Sequence, residues 1–418
     1  MNILAMNSGS SSLKFKVIEY DEPADAADSR QPGIRYEGSV EEIGPAARLQ
    51  LRRAGATMLQ NRRAVATQAE AVQCMMHMLE ESSRQEGRAL CIEAIGHRVV
   101  HGGEQFQEPV RIDDEVFAAI DRLAELAPLH NPACLAGIKA ARVVMGSHIP
   151  MVAVFDTAFH RSIPPQAATY AIDLDLARKH GIHRYGFHGI AHASLAGICA
   201  AAANRPLTSL RLITLHLGNG CSATAIDQGR SVDTSMGFTP LEGLVMGTRS
   251  GDVDPALVGY LVRKAGLSVD EVERLLNERS GLLGLSGLSN DMRELLIAAE
   301  GRPNSRAALA VDVFCYRVRK YIGAYLAVLA GADAIVFGGG IGERSAIIRS
   351  RICDGMDWCG LRLDSVRNET AVGLASGEAT KISEDGAQLA CYVAGVDEEV
   401  EIARTTRDCI LKRSSDNP

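Results

Sequence analysis

Short apolar runs that stop at Gly or at a single polar residue recur along the chain, separated by stretches of helical spacing. IEAIGHRVVHGG, PMVAVFDTAFH, LRLITLHLGNG and ADAIVFGGGIGE are the clearest. Runs this short and this continuously apolar predict central strands covered on both faces by helices, the α/β class. In such folds functional groups collect where the strands end. The opening stretch MNILAMNSGSSSLKFKV adds a second pattern. Ile3-Leu4-Ala5, a Ser/Gly-rich turn and the alternating Leu13, Phe15 and Val17 predict two strands joined by a tight hairpin. The pattern returns in LITLHLGNGCSATAID, where Gly9 falls on Gly218, Ser10 on Asn219 and Ser11 on Gly220. The repetition predicts a duplicated domain with one hairpin loop from each half facing the same cleft.

The longest apolar stretch, Ala307 to Ala330, is interrupted by Asp312, Arg317, Arg319 and Lys320, so it predicts a buried amphipathic helix and not a membrane span. EEVEIARTTRDCIL predicts a closing helix with acids in its first turn and Val400, Ala403 and Ile410 on one side. The polar segments 21–35 and 414–418 are expected to be mobile. A chain of 418 residues is too long for one ordinary core and fits two domains of about 200 residues.

Composition narrows the partners. The chain is 46% hydrophobic and 23% charged with a net charge of −7, which favours neither a nucleic acid nor an anionic membrane. A small anionic ligand would need locally placed Arg or Lys. The 10 Cys form no CxxC pair and read as reduced thiols in a cytoplasmic protein, with no thiolate metal cluster. The N-terminus enters a strand within its first residues and carries no basic segment followed by an apolar one, which argues against a secretory signal.

A Ser/Gly-rich turn after a strand aims several backbone N–H groups at one point, and Gly permits close approach. Ser10, Ser11, Ser12 and Lys14 would surround one such point, and Gly218-Asn219-Gly220 a second. The plain alternative is that both are only tight turns. FGGGIGERS is a third glycine loop, expected between the strand Ala334 to Phe337 and a helix from Ser345. It lacks the Gly-Lys-Ser/Thr of a P-loop, and Ser345 stands at the third glycine position of the dinucleotide fingerprint. Three such loops in two domains suit a nucleotide lying along a cleft.

NSGSSSLK, GHRVVHGG, FDTAFH, RYGFHG, HLGNG, SMGFTPLEGLVMGTRSGDVDP and GGGIGE follow one another in an order that closely resembles the acetokinase family. The resemblance runs from residue 2 to beyond residue 400. It implies a fold similar to that of actin, the sugar kinases and the heat-shock ATPases, in two domains: residues 1–156 joined by 393–418, and a nucleotide-binding domain of residues 157–392. The implied activity is reversible transfer of the γ-phosphoryl of ATP to acetate, giving acetyl phosphate and ADP, with propionate as the alternative acid. Magnesium, or manganese in its place, and a homodimer are implied as well.

Phosphoryl transfer asks the protein to align two oxygens and neutralise charge, so cations and donors must converge. Arg98 and Arg249 can offer planar forks to a carboxylate or phosphate, although each alone reads equally as an ion-pair residue. The resemblance makes them the arginines that hold the carboxylate and the moving phosphoryl, and makes His188 a donor to the phosphoryl. Asp156, at the end of an apolar strand, needs a partner or a cleft. By resemblance it is the essential carboxylate, expected to orient Arg or metal-bound water and not to act as a base, since the substrate acid is already ionised. Asn7 and Glu398 match metal-associated positions, with Glu399 the adjacent fallback. His216, Gly218, Asn219, Gly220, Asp291, Met292, Arg293, Gly340, Ile341, Gly342, Glu343 and Arg344 match nucleotide contacts. Val100, Leu129, Phe187 and Pro240 match the pocket for the methyl end of the acid. Arg344, where the family commonly has Asn, Ile190-Ala191 after FHG and Asp397 before Glu398 depart from its pattern.

Overall fold

The computed structural model describes residues 1–9, 11–20, 33–128, 130–303 and 305–415. Ser10, Leu129, Asn304 and residues 21–32 and 416–418 therefore lie outside the described residues. The chain divides into two units, Met1–Ala158 with Asp397–Pro418, and Phe159–Val396.

The N-terminal unit is built on eight strands: β1 (Asn2–Ser8), β2 (Ser12–Glu19), β3 (Gly33–Glu41), β4 (Gly44–Arg53), β5 (Ala56–Val65), β6 (Ala94–Val99), β7 (Val110–Arg111) and β8 (Met151–Phe155). They form one sheet in the order β5-β4-β3-β2-β1-β6-β8-β7. β1, β6 and β8 run parallel, while β2 returns antiparallel beside β1 with Ser8 opposite Leu13. This is the predicted hairpin, and its turn closes through the Gly9 N–H, which donates to the Ser12 carbonyl at 2.8 Å. Leu13, Phe15 and Val17 enter the core while Lys14 stays outside. Gly33, Ile34 and Arg35 belong to β3 and correct the expected loop at 21–35, because Gly33 and Ile34 pair with β2 and Arg35 sits at a register shift in the same ladder.

Period-two alternation decides which residues share a face. Leu4, Met6, Ile95 and Phe155 join the core built with helices Gln68–Gln85 and Asn131–Met145. The intervening Ala5, Asn7, Gly96 and Arg98 point the other way, toward helix Glu398–Ser415. A Cβ on Gly96 would lie 2.3 Å from Thr406 Oγ1 and 2.7 Å from Ile402, so the missing side chain is what lets the helix settle on β6. That helix buries Ile402, Ala403 and Thr406, with Val400 and Ile410 only half-buried. The apolar pattern missed Thr406 because its hydroxyl donates to the Ile402 carbonyl at 2.7 Å and so costs little to bury. Ser414 and Ser415 continue the helix, against the expected tail from 414.

The second unit repeats the plan. Its strands are β9 (Arg211–Leu217), β10 (Cys221–Asp227), β11 (Arg230–Thr234), β12 (Ala334–Gly338), β13 (Ala379–Lys381) and β14 (Ala390–Ala394), ordered β11-β10-β9-β12-β14-β13. β9 pairs antiparallel with β10 and parallel with β12, and β12 pairs parallel with β14. This is the pairing of β3-β2-β1-β6-β8-β7 again, so the duplicated α/β architecture read from the two hairpins is present. The predicted apolar helix spans Arg306–Val328 and packs on β9 and β10, and helix Gly189–Ala202 packs on β9 and β12. The expected glycine loop after β12 is instead a short helix, Gly339–Arg344, followed by helix Ala346–Cys353 with Ser345 as its cap. Among the described residues no helix is long and apolar enough to cross a membrane.

Candidate active site

In the N-terminal unit the carboxyl ends of three parallel strands bring Asn7, Arg98 and Asp156 together on the face covered by the C-terminal helix. Arg98 forks onto Asp156, with Nε donating to Oδ1 at 3.0 Å and Nη2 donating to Oδ2. Its Nη1 donates to Asn7 Oδ1 at 3.1 Å, and Glu398 Oε2 lies 3.7 Å from its Nε. Asn7 Nδ2 in turn donates to Glu398 Oε2 at 3.3 Å. Asp156 is 1% exposed, and its pairing with the guanidinium helps make that burial tolerable. Burial opposes the charge on Arg98, but Asp156 and Glu398 outweigh it and hold the guanidinium above its ordinary value.

The glutamate that meets Asn7 is Glu398. Glu399, the neighbour, is pushed up to about 7 by burial and by Asp397 and Glu398, against the pull of Lys16 and Lys14. Lys16 is tied to Asp397. Of the predicted phosphate turn, Ser12 is half-buried at the start of β2, and Lys14 is exposed. Gln68 Nε2 donates to the carbonyls of Gly9 at 2.5 Å and Ser12 at 3.2 Å, bracing that turn from its acceptor side. Sequence reasoning missed Gln68, since a lone Gln at a helix start carries no signal. It also missed Asn131, whose amide exchanges two hydrogen bonds of 3.1 Å with the His101 backbone and fixes the segment after Val100.

In the second unit two predicted residues converge on the β9–β10 turn. A Cβ on Gly220 would stand 2.7 Å from Arg249 Nη2 and 3.2 Å from His188 Nε2, so both side chains press against that glycine. Arg249 Nη1 donates to the Pro240 carbonyl at 2.7 Å. His188 takes φ +57°, a left-handed conformation uncommon for a non-glycine residue, just before helix Gly189–Ala202. Its ring lies 4.7 Å from that of His216. Phe187 and Pro240 flank these groups in sequence and are buried. Arg184 holds the surrounding loops: it donates to the carbonyls of Thr234 at 3.0 Å and Met236 at 3.1 Å and pairs with Glu242 at 2.6 Å. RYGFHG contains both Arg184 and His188, but nothing in the motif separates the bracing arginine from the candidate histidine.

The far side of the same turn opens on a cavity of about 640 Å³. Gly218, Asn219, Asp291, Met292, Arg293, Gly340, Ile341 and Arg344 line it. Glu343 accepts the N–H of Gly339 at 3.1 Å and of Val396 at 3.2 Å, which braces this segment. Apolar Leu296 and Ile297 form part of the wall, which suits a flat heteroaromatic ring beside a polar rim.

Residues 2–404 match the acetokinase family. The chain belongs to that family. It is 48% identical to the acetate kinase of Solibacter usitatus, over 98% of this chain and 99% of that one. The crystal structure of Porphyromonas gingivalis acetate kinase superposes with a TM-score of 0.86 at 37% identity, covering 98% of this chain and 99% of that one. A propionate kinase from Francisella tularensis gives 0.85 at 37% identity, covering 97% and 99%. Members of this family are kinases that transfer phosphate to a carboxylate, and the chain is such a kinase.

Proposed function

We propose that the chain is an acetate kinase that moves the γ-phosphoryl of ATP directly and reversibly to acetate. The observation that carries the reading is the β9–β10 turn. One side of it lines the cavity suited to a nucleotide, and the other receives the guanidinium of Arg249 and the ring of His188. In the transfer the bond from phosphorus to the ADP oxygen breaks as the bond to an acetate oxygen forms, and no proton need move. Arg249 and His188 would neutralise charge on the equatorial oxygens, and Arg98 would hold the carboxylate. Asp156 serves by locking the Arg98 fork. Val100, Phe187 and Pro240 are the proposed apolar surroundings of the methyl group.

Asn7 and Glu398 fit a magnesium ion that keeps most of its waters and is held chiefly by substrate phosphates. Among the described residues no group of three or more His, Cys, Asp or Glu could hold a metal ion. When bound, the ion would offset negative charge on the phosphates. Glu398→Ala should raise the magnesium requirement in a metal titration, and an unchanged titration would move the metal assignment elsewhere. Manganese is the proposed substitute, and a cytoplasmic homodimer, checked by fractionation and sedimentation, completes the reading.

Trapping of acyl phosphate by hydroxylamine tests the activity: a hydroxamate should form from acetate with ATP and magnesium. Its absence with every short-chain acid would overturn the proposal. The likeness to a solved propionate kinase keeps propionate as a second reading, because one methylene changes discrimination by only about 1–3 kcal/mol. The ratio of kcat/KM for the two acids decides between them.

A further inference from the structure

Behind the His188 ring lies a row of hydrogen-bonding groups that the transfer chemistry does not use. Ser222 Oγ stands between two imidazoles, 2.8 Å from His188 Nδ1 and 2.7 Å from His192 Nε2. His192 Nδ1 lies 2.7 Å from Thr214 Oγ1. Ser222, His192 and Thr214 are completely buried. β10 supplies Ser222, β9 supplies Thr214, and His192 follows His188 by one helical turn.

A serine hydroxyl has one hydrogen and can donate to only one of the two rings. In one arrangement Ser222 donates to His188 Nδ1, His192 Nε2–H donates to Ser222, and Thr214 donates to His192 Nδ1. The other arrangement reverses every hydrogen. Reversal leaves the Thr214 hydroxyl hydrogen without an acceptor, since among the described residues His192 is the one hydrogen-bond partner of that fully buried hydroxyl. Only the first arrangement pairs every donor within the row from Thr214 to His188 Nδ1. It leaves the hydrogen of neutral His188 on Nε2, the nitrogen that lies against Gly220 near Arg249.

Resting on the phosphoryl-transfer reading, we propose that Ser222, His192 and Thr214 are positioning residues that hold the hydrogen of neutral His188 on Nε2, so that the ring donates to the phosphoryl group without first acquiring charge. The opposite neutral tautomer would present a lone pair to the phosphoryl oxygens. The permanent charge of Arg249 stands at the same glycine, and the His216 ring lies 4.7 Å away. His192 faces His160 at 5.9 Å as well as His216, and burial together with these rings keeps it neutral.

Nitrogen NMR of histidine-labelled protein reads the tautomers without turnover, His188→Gln identifying the signal. Nε2–H on both His188 and His192 is expected in the native chain, and Nδ1–H on His188 overturns the proposal. Ser222→Ala and Thr214→Val should each lower kcat by about tenfold with little change in the KM for ATP. Both should also make activity rise from about pH 8 to about pH 6, where an imidazolium restores the donor. Thr214→Ser, which keeps the donor, should reverse that pH dependence. Native tautomers and a native pH profile in both the Ala and Val variants would equally overturn it. A protein that forms no hydroxamate yet shows Nε2–H on both rings would sink the functional reading and leave the tautomer assignment standing.

Discussion

The two units share one strand pairing and use it differently. In the N-terminal unit the hairpin turn is braced by Gln68, and the candidate groups stand at the ends of β1, β6 and β8, where two carboxylates and an amide oxygen surround one arginine. In the second unit the equivalent turn is itself the contact surface, with Arg249 and His188 pressed against Gly220. The repeated scaffold thus fixes where functional groups can stand, at strand ends and hairpin turns. The side chains then divide the work: acid-rich in one copy, cationic and aromatic in the other.

Removing either guanidinium is the largest break. Arg98→Ala and Arg249→Ala should each reduce kcat by about a hundredfold or more in steady-state assays, the loss expected of a transition-state contact. Near-normal turnover in one of them would confine the chemistry to the other unit. A smaller and sharper contrast lies in the turns. Gly220→Ala places a methyl 2.7 Å from Arg249 Nη2, whereas Gly9→Ala meets its nearest neighbour, Ser12 Oγ, at 3.2 Å. The first should cost kcat about tenfold and the second little, given what displacing a catalytic donor costs. Equal effects would erase the distinction between the hairpins.

Acid should weaken the second unit. Buried His160 donates from Nε2 to the Phe187 carbonyl and accepts from Ser231, and burial lowers it to about 4. The unfolded chain therefore binds a proton that the folded one refuses between about pH 6.5 and about pH 4. This contribution is complete above that window and is lost as pH falls through it, by about 3 kcal/mol in all. Denaturant unfolding at stepped pH would measure it, and a flat curve would show His160 protonated in the fold. The smallest effect is expected at the cavity rim, where exposed Arg344→Asn should change the KM for ATP by about threefold and leave kcat alone, as for loss of uniform binding.

Much of the architecture was legible because alternation and apolar runs are local signals: both hairpins, the buried strands β6, β8, β9 and β12, and helix Arg306–Val328. The candidate site was read mainly through its motifs, which proposed Arg98, Asp156, His188 and Arg249 at once. What escaped was the bracing. Gln68, Asn131, Arg184 and the Ser222–His192–Thr214 row act through hydrogen bonds between segments distant in sequence, and no periodicity records such partners. Thr406 escaped for the opposite reason, a polar residue made fit for burial by its own backbone.

The gap over Gly96 has a consequence for synthesis. Residues 398–415 complete the sheet face that carries Asn7 and Arg98, yet they leave the ribosome after the whole of the second unit. The earliest strands must wait for the latest helix, so the second unit can mature first, and a nascent chain halted before residue 398 would hold Arg98 without one of its two carboxylates.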